Sequence, residues 1–184
     1  GYSLPSYLVG IVFIYLFAVK LKIFPVGGAK TPGSTYTGFA EFADRMYYMA
    51  LPILVLVFIG LAGMTRTVRA AMIDTLTQDY IRTARAKGLK EKVVIYSHAW
   101  RNALLPVSTS IMGWIISVFT GGSLVIETTF ALNGTGRLYW QALNNTDYEL
   151  VLAMQMFYTV VSLVGVLLTD LSYGLVDPRV RVNK

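Results

Sequence analysis

The chain has 184 residues, of which 55% are hydrophobic and only 14% are charged, with 16 Lys and Arg against 10 Asp and Glu. A soluble domain carries about 25% charged residues, and intrinsic disorder needs high charge with low hydrophobicity, so the composition speaks against both classes. The sequence contains no cysteine, which excludes a disulfide scaffold, thiolate zinc sites and cysteine nucleophiles.

Four long stretches of the sequence carry no charged residue. About 20 apolar residues of helix cross a hydrocarbon core of roughly 30 Å, whereas the core helix of a soluble protein is usually shorter and amphipathic. We therefore predict an all-α integral membrane protein, a polytopic helix bundle with one transmembrane domain over residues 1–184. The predicted spans cover about residues 4–24, 46–65, 104–126 and 150–173.

The Lys and Arg residues are unevenly distributed between the predicted connections, and this asymmetry predicts the orientation in the bilayer. Residues 66–101, between the second and third spans, carry eight of them, and the C-terminal tail carries three more. The first and third connections carry only four and one. We therefore expect residues 66–101 and the C-terminus to be cytoplasmic in a multi-pass protein of the plasma (inner) membrane. The membrane topology already explains the distribution of Lys and Arg that gives the net charge of +6. The lipid bilayer is therefore an expected partner, and nucleic acid is not.

The two connections on the opposite side contain many turn-forming residues. Residues 25–45 are rich in Gly, Pro, Ser and Thr, and residues 127–149 contain Asn133-Gly134 and Gly136. Both are therefore predicted to be plain external loops.

Residues 66–101 differ from a loop, because they lack Pro and contain only one Gly, Gly88. They predict a short helix that opens at Thr77 or Gln78 and ends at Gly88, followed by a second helix over about residues 90–102 that leads into the third span. The predicted apolar face of the first helix contains Leu76, Tyr80 and Ala84, with Ile81 beside it. Two short helices broken by a glycine form a projecting element, here called the knuckle, that suits docking into a groove of a partner.

Candidate residues for a solute pathway lie in or at the ends of the last two spans. They are Ser117, Thr120, Glu127 and Asp170. Plain helix packing explains any single Ser or Gly of the third span better, and pairing with a nearby Arg explains Asp170 better, whereas Glu127 suits a substrate access route and the membrane interface equally. His98 is the only histidine and has no partners for a metal site or a triad, so we expect a packed or interfacial role for it in the cytoplasmic helix.

An intramembrane enzyme is the second class of function considered. It needs a carboxylate pair, a Ser/His dyad or metal ligands at membrane depth, and the predicted spans contain no His and no acid except at their ends. No catalytic, metal-binding or cofactor-binding residue is therefore predicted.

The stretch DYIRTARAKGL, followed by HAWRNALLPV, resembles the cytoplasmic motif of binding-protein-dependent ABC importer permeases. In that signature Glu-Ala-Ala is followed by three residues, a Gly and a spacer that ends in Leu-Pro. Here Arg82-Thr83-Ala84 stands at Glu-Ala-Ala, Gly88 at the Gly, and Leu105-Pro106 at the Leu-Pro. The Ala-Arg-Ala-Lys-Gly form and the longer spacer resemble the dipeptide/oligopeptide/nickel branch, as do LPILVLVFIGLAGMTRTVR, ETTFALNGTG and DLSYGLVDPRVR.

The resemblance implies the type I ABC importer transmembrane fold, with this chain similar to the C-terminal four spans of such a permease. It implies a transport subunit for oligopeptides, dipeptides, nickel or other small solutes, not an enzyme. The implied partners are two cytoplasmic ABC ATPase subunits that bind ATP and Mg, a second permease subunit, and an extracellular or periplasmic substrate-binding protein. The implied ATPase-coupling residues are Arg82, Thr83, Ala84, Arg85, Ala86, Lys87 and Gly88.

Within that implied role, the alanines permit close approach, the basic side chains pair with carboxylates of the ATPase, and Gly88 lets the chain turn. From charge alone, the basic residues fit a positive-inside cluster at anionic headgroups better, and the order of the motifs reverses that preference. The alternative function is a non-catalytic membrane anchor or assembly protein with a basic cytoplasmic docking loop.

Overall fold

The structure is a computed structural model that describes residues 4–120 and 123–176, without the side chains of residues 105, 118–120, 170 and 172–176. Within these residues every regular element is a helix, in agreement with the predicted all-α class. A π-helical segment, Ile14–Lys20, continues the first helix, and a second one, Val94–Trp100, joins α4 to α5. The α-helices are α1 (Ser6–Phe13), α2 (Phe39–Leu76), α3 (Asp79–Ala86), α4 (Glu91–Val93), α5 (Arg101–Thr120), α6 (Leu124–Thr129), α7 (Thr135–Asn144) and α8 (Tyr148–Val176).

The chain divides into two compact units. Unit 1 comprises Gly1–Ala62 and Gly121–Phe157, and unit 2 comprises Gly63–Thr120 and Tyr158–Lys184.

Unit 1 packs α1, the first part of α2, and α6 around a buried aromatic ring. Phe130, directly after α6, is almost fully buried among side chains from all three helices, including Val9, Leu51 and Ile126. The connection that follows the first π-helical segment also contacts this residue, because the N–H of Gly28 donates to the carbonyl of Phe130 at 2.8 Å. This cluster fixes α6, and with it the start of α7.

Unit 2 contains the knuckle and α5, which covers most of the third predicted span. The helical run from α4 to α5 buries one stripe of small and β-branched residues: Val94, Ala99, Ala103 and Val107. Val94 and Ala99 are five residues apart in this stripe, and the later members are four apart. This spacing agrees with the wider turn of the π-helical segment, which has i→i+5 hydrogen bonds, followed by the α-helix. The π-helical segment therefore keeps Val94, packed near α3, in line with Val107, packed near α2.

Two of the four predicted spans correspond to helices that are long and apolar enough to cross a membrane, namely α2 and the Tyr148–Thr169 part of α8. Only 17% and 6% of their most apolar stretches are buried, so they expose apolar surface as helices in lipid do. The whole helix α2 extends beyond the predicted bounds of 46–65 into charged sequence at both ends, whereas α8 exceeds 150–173 by two residues at its start and three at its end.

The first and third predicted spans differ more from the structure. The predicted span 4–24 is a shorter apolar helix, Ser6–Lys20. The predicted span 104–126 is not one helix, since α5 ends at Thr120 and α6 begins at Leu124, with Gly121 and Gly122 outside the described residues. The helix that was predicted to end near residue 102 instead runs on into α5 without a break.

The two external connections are not plain loops, contrary to the prediction. Residues 39–45 already belong to α2, and residues 127–149 contain α7 and the first turn of α8. The turn-forming residues Asn133 and Gly134 end a short linker and are followed directly by α7. This helix can start there because the carboxylate of Glu127 accepts the N–H groups of Gly136 and Arg137 in its first turn.

Candidate functional site

The knuckle begins where α2 ends. Gln78 adopts an extended conformation before α3, and its carbonyl accepts the N–H groups of Ile81 at 3.0 Å and Arg82 at 3.3 Å. At the other end, Gly88 has a φ of +76°, its N–H donates to the carbonyl of Arg85, and the N–H of Leu89 donates to that of Ala84. This is a Schellman ending, which favours glycine, so the predicted stop at Gly88 is confirmed, and of the two predicted starts, Thr77 and Gln78, the helix uses Gln78.

A small apolar core holds α3 against the helix that follows it. Ile81 and Val94 are fully buried, and Ala84 and Ala99 complete the cluster. The predicted face was wrong at Tyr80, which is 44% exposed. The reason is the break at Thr77 and Gln78, which leaves Leu76 at the end of α2. The helix α3 therefore does not continue the face of Leu76, and it buries Ile81 in place of Tyr80.

Six of the seven predicted coupling residues are exposed on the knuckle: Arg82, Thr83, Arg85, Ala86, Lys87 and Gly88. The seventh, Ala84, is buried within the chain's own core. The close approach that Ala84 permits is therefore the contact between α3 and the helix behind it. Ala86 is the exposed one of the two alanines.

The basic side chains of α3 differ in their surroundings. The guanidinium of Arg85 donates from Nη2 to Oε1 of Glu91 at 2.7 Å and from Nε to Oε2 at 3.2 Å. This pairing raises the pKa of Arg85 and lowers the pKa of Glu91, each mainly through the hydrogen bond to the other. Arg82 has only a long contact of 3.5 Å with Asp79, and both of these side chains are very exposed. Among the described residues Lys87 forms no ion pair.

A shallow groove of about 340 Å³ lies beside α3. Its polar lining comes from both helices of the knuckle, and no carboxylate contributes to it. Lys87 places a positive charge at this groove, and the half-buried His98 lines it, in keeping with the packed or interfacial role predicted for this residue. The lining residues are Tyr80, Thr83, Ala84, Lys87, Leu89 and His98.

None of the pathway candidates is among the described residues that line the knuckle's groove. Ser117 is exposed on α5 and donates its hydroxyl to the carbonyl of Trp114 on the same helix at 2.7 Å. Thr120 ends α5 and Asp170 lies within α8, but the side chains of both are outside the described part of the chain. The participation of these residues in a pathway stays a prediction.

Glu127 is 8% exposed and has a defined structural contact. Its two carboxylate oxygens accept the backbone N–H groups of Gly136 at 3.2 Å and Arg137 at 2.6 Å, in the first turn of α7. Gly134, the N-terminal capping residue of α7, has no side chain, and a Cβ there would overlap the Glu127 carboxyl group. Glu127 therefore takes the place of the missing capping side chain and complements the positive end of α7.

The sequence matches, over residues 1–182, the family described as binding-protein-dependent transport system inner membrane component. The chain belongs to this family. It is 42% identical over 180 residues to the oligopeptide transport system permease protein AppB of Bacillus subtilis (strain 168), covering 98% of this chain and 55% of the relative. It is 37% identical over 201 residues to the dipeptide transport system permease protein DppB of Escherichia coli (strain K12), covering 100% of this chain and 59% of the relative.

These relatives confirm the resemblance to the peptide branch of ABC importer permeases that the knuckle motif indicated. They also support the all-α type I permease class and a place in a membrane. The chain spans about half the length of the curated relatives that it matches.

Two features of these sites were not predicted from the sequence. One is the pairing of Arg85 with Glu91, for which an acidic residue three positions after Gly88 was the available signal. The other is the capping contact of Glu127, which joins α6 to α7 across a short linker and leaves no periodic pattern in the sequence.

Proposed function

We propose that this chain forms part of a transmembrane permease subunit of an ATP-driven importer for oligopeptides or dipeptides. The observation that carries the proposal is the similarity to the peptide permeases across the whole chain, knuckle motif included. In this proposal α1 with its π-helical continuation, α2, α5 and α8 are the four spans. The abundance of Lys and Arg in residues 66–101 supports a cytoplasmic position for the knuckle.

The proposed role of the knuckle is to couple the spans to ATPase subunits. Its exposed surface carries Arg82, Ala86 and Lys87, and the groove beside them has a positive rim without a carboxylate. A partner surface with acidic side chains fits this charge. The buried pair Ile81 and Val94 makes α3 move together with the helix behind it, and that helix is continuous with the third span. Displacement of α3 by a closing ATPase dimer would thus shift α5 between two states.

The proposed assembly contains two cytoplasmic ATPase subunits, which bind ATP and Mg, a second permease subunit, and an extracellular or periplasmic substrate-binding protein. The chain itself is proposed to hold no cofactor and to catalyse no reaction. Ser117, Thr120, Glu127 and Asp170 are proposed to contribute to the pathway between the spans. Nickel or another small solute is the alternative cargo to peptides.

The test is reconstitution of the full permease chain with its cognate ATPase and binding protein in lipid nanodiscs. We expect the ATPase to co-purify and the loaded binding protein to stimulate ATP hydrolysis when peptides are the cargo. Lys87→Glu should abolish both results, and Lys92→Glu, an exposed lysine of the same segment outside the groove, is the matched control. If no ATPase co-purifies and no cargo stimulates hydrolysis, the proposal is wrong and the anchor or assembly function takes its place.

A further inference from the structure

We infer that Arg85 and Glu91 form a brace within the knuckle, which fixes the angle between α3 and the helix that leads into the third span. Arg85 is then a positioning residue of the coupling element and not a contact to the ATPase. The inference rests on the proposed function, because the knuckle must transmit a displacement for its angle to matter.

The geometry of the pair is the first support. Two hydrogen bonds of 2.7 Å and 3.2 Å join the guanidinium of Arg85 to both oxygens of Glu91. Such a bidentate arrangement restricts the orientation of both groups, which a single point contact does not. The two residues lie in the last turn of α3 and the first turn of α4, so the bridge spans the exposed turn at Gly88.

The second support is the way α3 is otherwise held. The helix has eight residues, too few for stability on its own, and its packing depends on Ile81 and Ala84 against Val94 and Ala99, with two side chains from the last turns of α2 beside them. All of these contacts are on the buried face of α3. The turn adds no side-chain packing, since Gly88 is exposed and an added Cβ would meet nothing within 4 Å. The ion pair also holds the exposed side of α3, and so restricts its rotation about this core.

The third support is the contrast with the other cations of the knuckle. Arg82 and Lys87 have no comparable partner in the described part of the chain, and both are exposed. These two side chains are free to meet carboxylates of the ATPase. Arg85 is already paired, and the raised pKa of Arg85 and lowered pKa of Glu91 show that each stabilises the charge of the other.

The experiment uses the complete transporter in nanodiscs with Arg85→Gln, Glu91→Gln and the charge exchange Arg85→Glu/Glu91→Arg. The control is Glu41→Gln, which removes a similar exposed ion pair with Arg45, of 2.6 Å, at the start of α2. The readouts are ATPase co-purification, basal and binding-protein-stimulated ATP hydrolysis, and amide hydrogen exchange of residues 79–90.

We expect both single variants to lower the stimulated hydrolysis about two- to fivefold, the range in which an exposed ion pair shifts an equilibrium, with co-purification and basal hydrolysis unchanged. Exchange of residues 79–90 should rise by a similar factor in both. The charge exchange should restore stimulation and protection, and Glu41→Gln should change neither. Agreement between the two single variants matters, because Glu91→Gln also alters the first turn of α4, whereas Arg85→Gln leaves that turn intact.

Two results would overturn the brace. One is loss of ATPase co-purification in Arg85→Gln together with wild-type behaviour of Glu91→Gln, which would make Arg85 a contact to the ATPase. The other is failure of the charge exchange to restore protection of residues 79–90. If the wild-type complex neither co-purifies nor responds to the binding protein, the proposed function fails, and hydrogen exchange still decides whether the brace exists.

Discussion

Replacement of Glu127 tests whether a carboxylate from α6 holds α7 in place. Glu127→Ala removes both acceptors for the N–H groups of Gly136 and Arg137, and Gly134 has no side chain that replaces them. Hydrogen bonds to a charged group contribute about 1.5–3 kcal/mol, and loss of an N-cap costs about 0.5–2 kcal/mol. We expect Glu127→Ala to destabilise α7 locally by about 2–3 kcal/mol and Glu127→Gln, which keeps one acceptor oxygen, by about 1 kcal/mol.

The assay is amide hydrogen exchange of residues 123–147 in the purified protein. A loss of about 2–3 kcal/mol corresponds to exchange that is about 30- to 150-fold faster in the first turn of α7, if that turn opens locally. Gly134→Ala should accelerate exchange in the first turn of α7 to a similar extent while leaving Glu127 in the sequence, because the new Cβ displaces the Glu127 carboxyl group. The control is Glu149→Gln, an exposed acidic residue in the first turn of α8.

Unchanged exchange at Gly136 and Arg137 in Glu127→Ala would refute the capping argument. Loss of transport with unchanged exchange would favour the predicted pathway role of Glu127 in its place. Equal acceleration throughout residues 4–176 would mean that the substitution unfolds the whole chain, which also contradicts a local effect.

Three further predictions concern unit 2. Gly165→Ala should destabilise the protein by about 1–3 kcal/mol, because the new Cβ would lie 2.6 Å from Cγ1 of Ile116. In an Ile116→Ala background the same substitution should lower the melting temperature much less, and a melting temperature unaffected by Gly165→Ala in the wild-type background would contradict this contact. Ile81→Ala should loosen α3 by about 2–5 kcal/mol, measured by exchange of residues 79–90, while the exchange of unit 1 stays unchanged. The pKa of Glu91 is lowered from 4.5, so its pairing with Arg85 is complete above that value and is lost as the pH falls through the lowered pKa. After correction for the intrinsic rate, protection of residues 79–90 should therefore be constant at neutral pH and fall only in acid, and a loss near neutral pH would exclude this ion pair as its source.

The apolar windows predicted the helical class and the centres of α2 and α8, because hydrophobic length is a property of the local sequence. The ends of α2 were not predictable in this way. Its first residue, Phe39, and its last, Leu76, lie beyond charged residues that a window rule excludes, although helix formation itself tolerates them. The π-helical segment before α5 was not predicted either. It aligns Val94, which packs in the cluster with α3, with Ala103, which packs in the cluster with α2, and the local sequence does not show these tertiary contacts.

The knuckle was predictable where the signal was local. The helix α3 lies between Gln78 and Gly88, as predicted. Both signals are local, because the residue before the helix is extended and the glycine after it adopts a left-handed conformation. The partner of Arg85 was not, because Glu91 follows six residues later, a separation at which side chains of one helix do not meet. Only the left-handed turn at Gly88 brings the two charges together.

The continuity of α4, the π-helical segment and α5 links these details to the proposed function. A helical run from Glu91 to Thr120 transmits displacement along its length, provided that the force enters it through rigid contacts. The buried pair Ile81 and Val94 provides one such contact, and the ion pair at Glu91 provides another at the first residue of the run. With both in place, α3 moves as part of the same body as the third proposed span. Without the ion pair, part of any movement of α3 would be lost as rotation about Gly88, which is why coupling should decrease while docking remains.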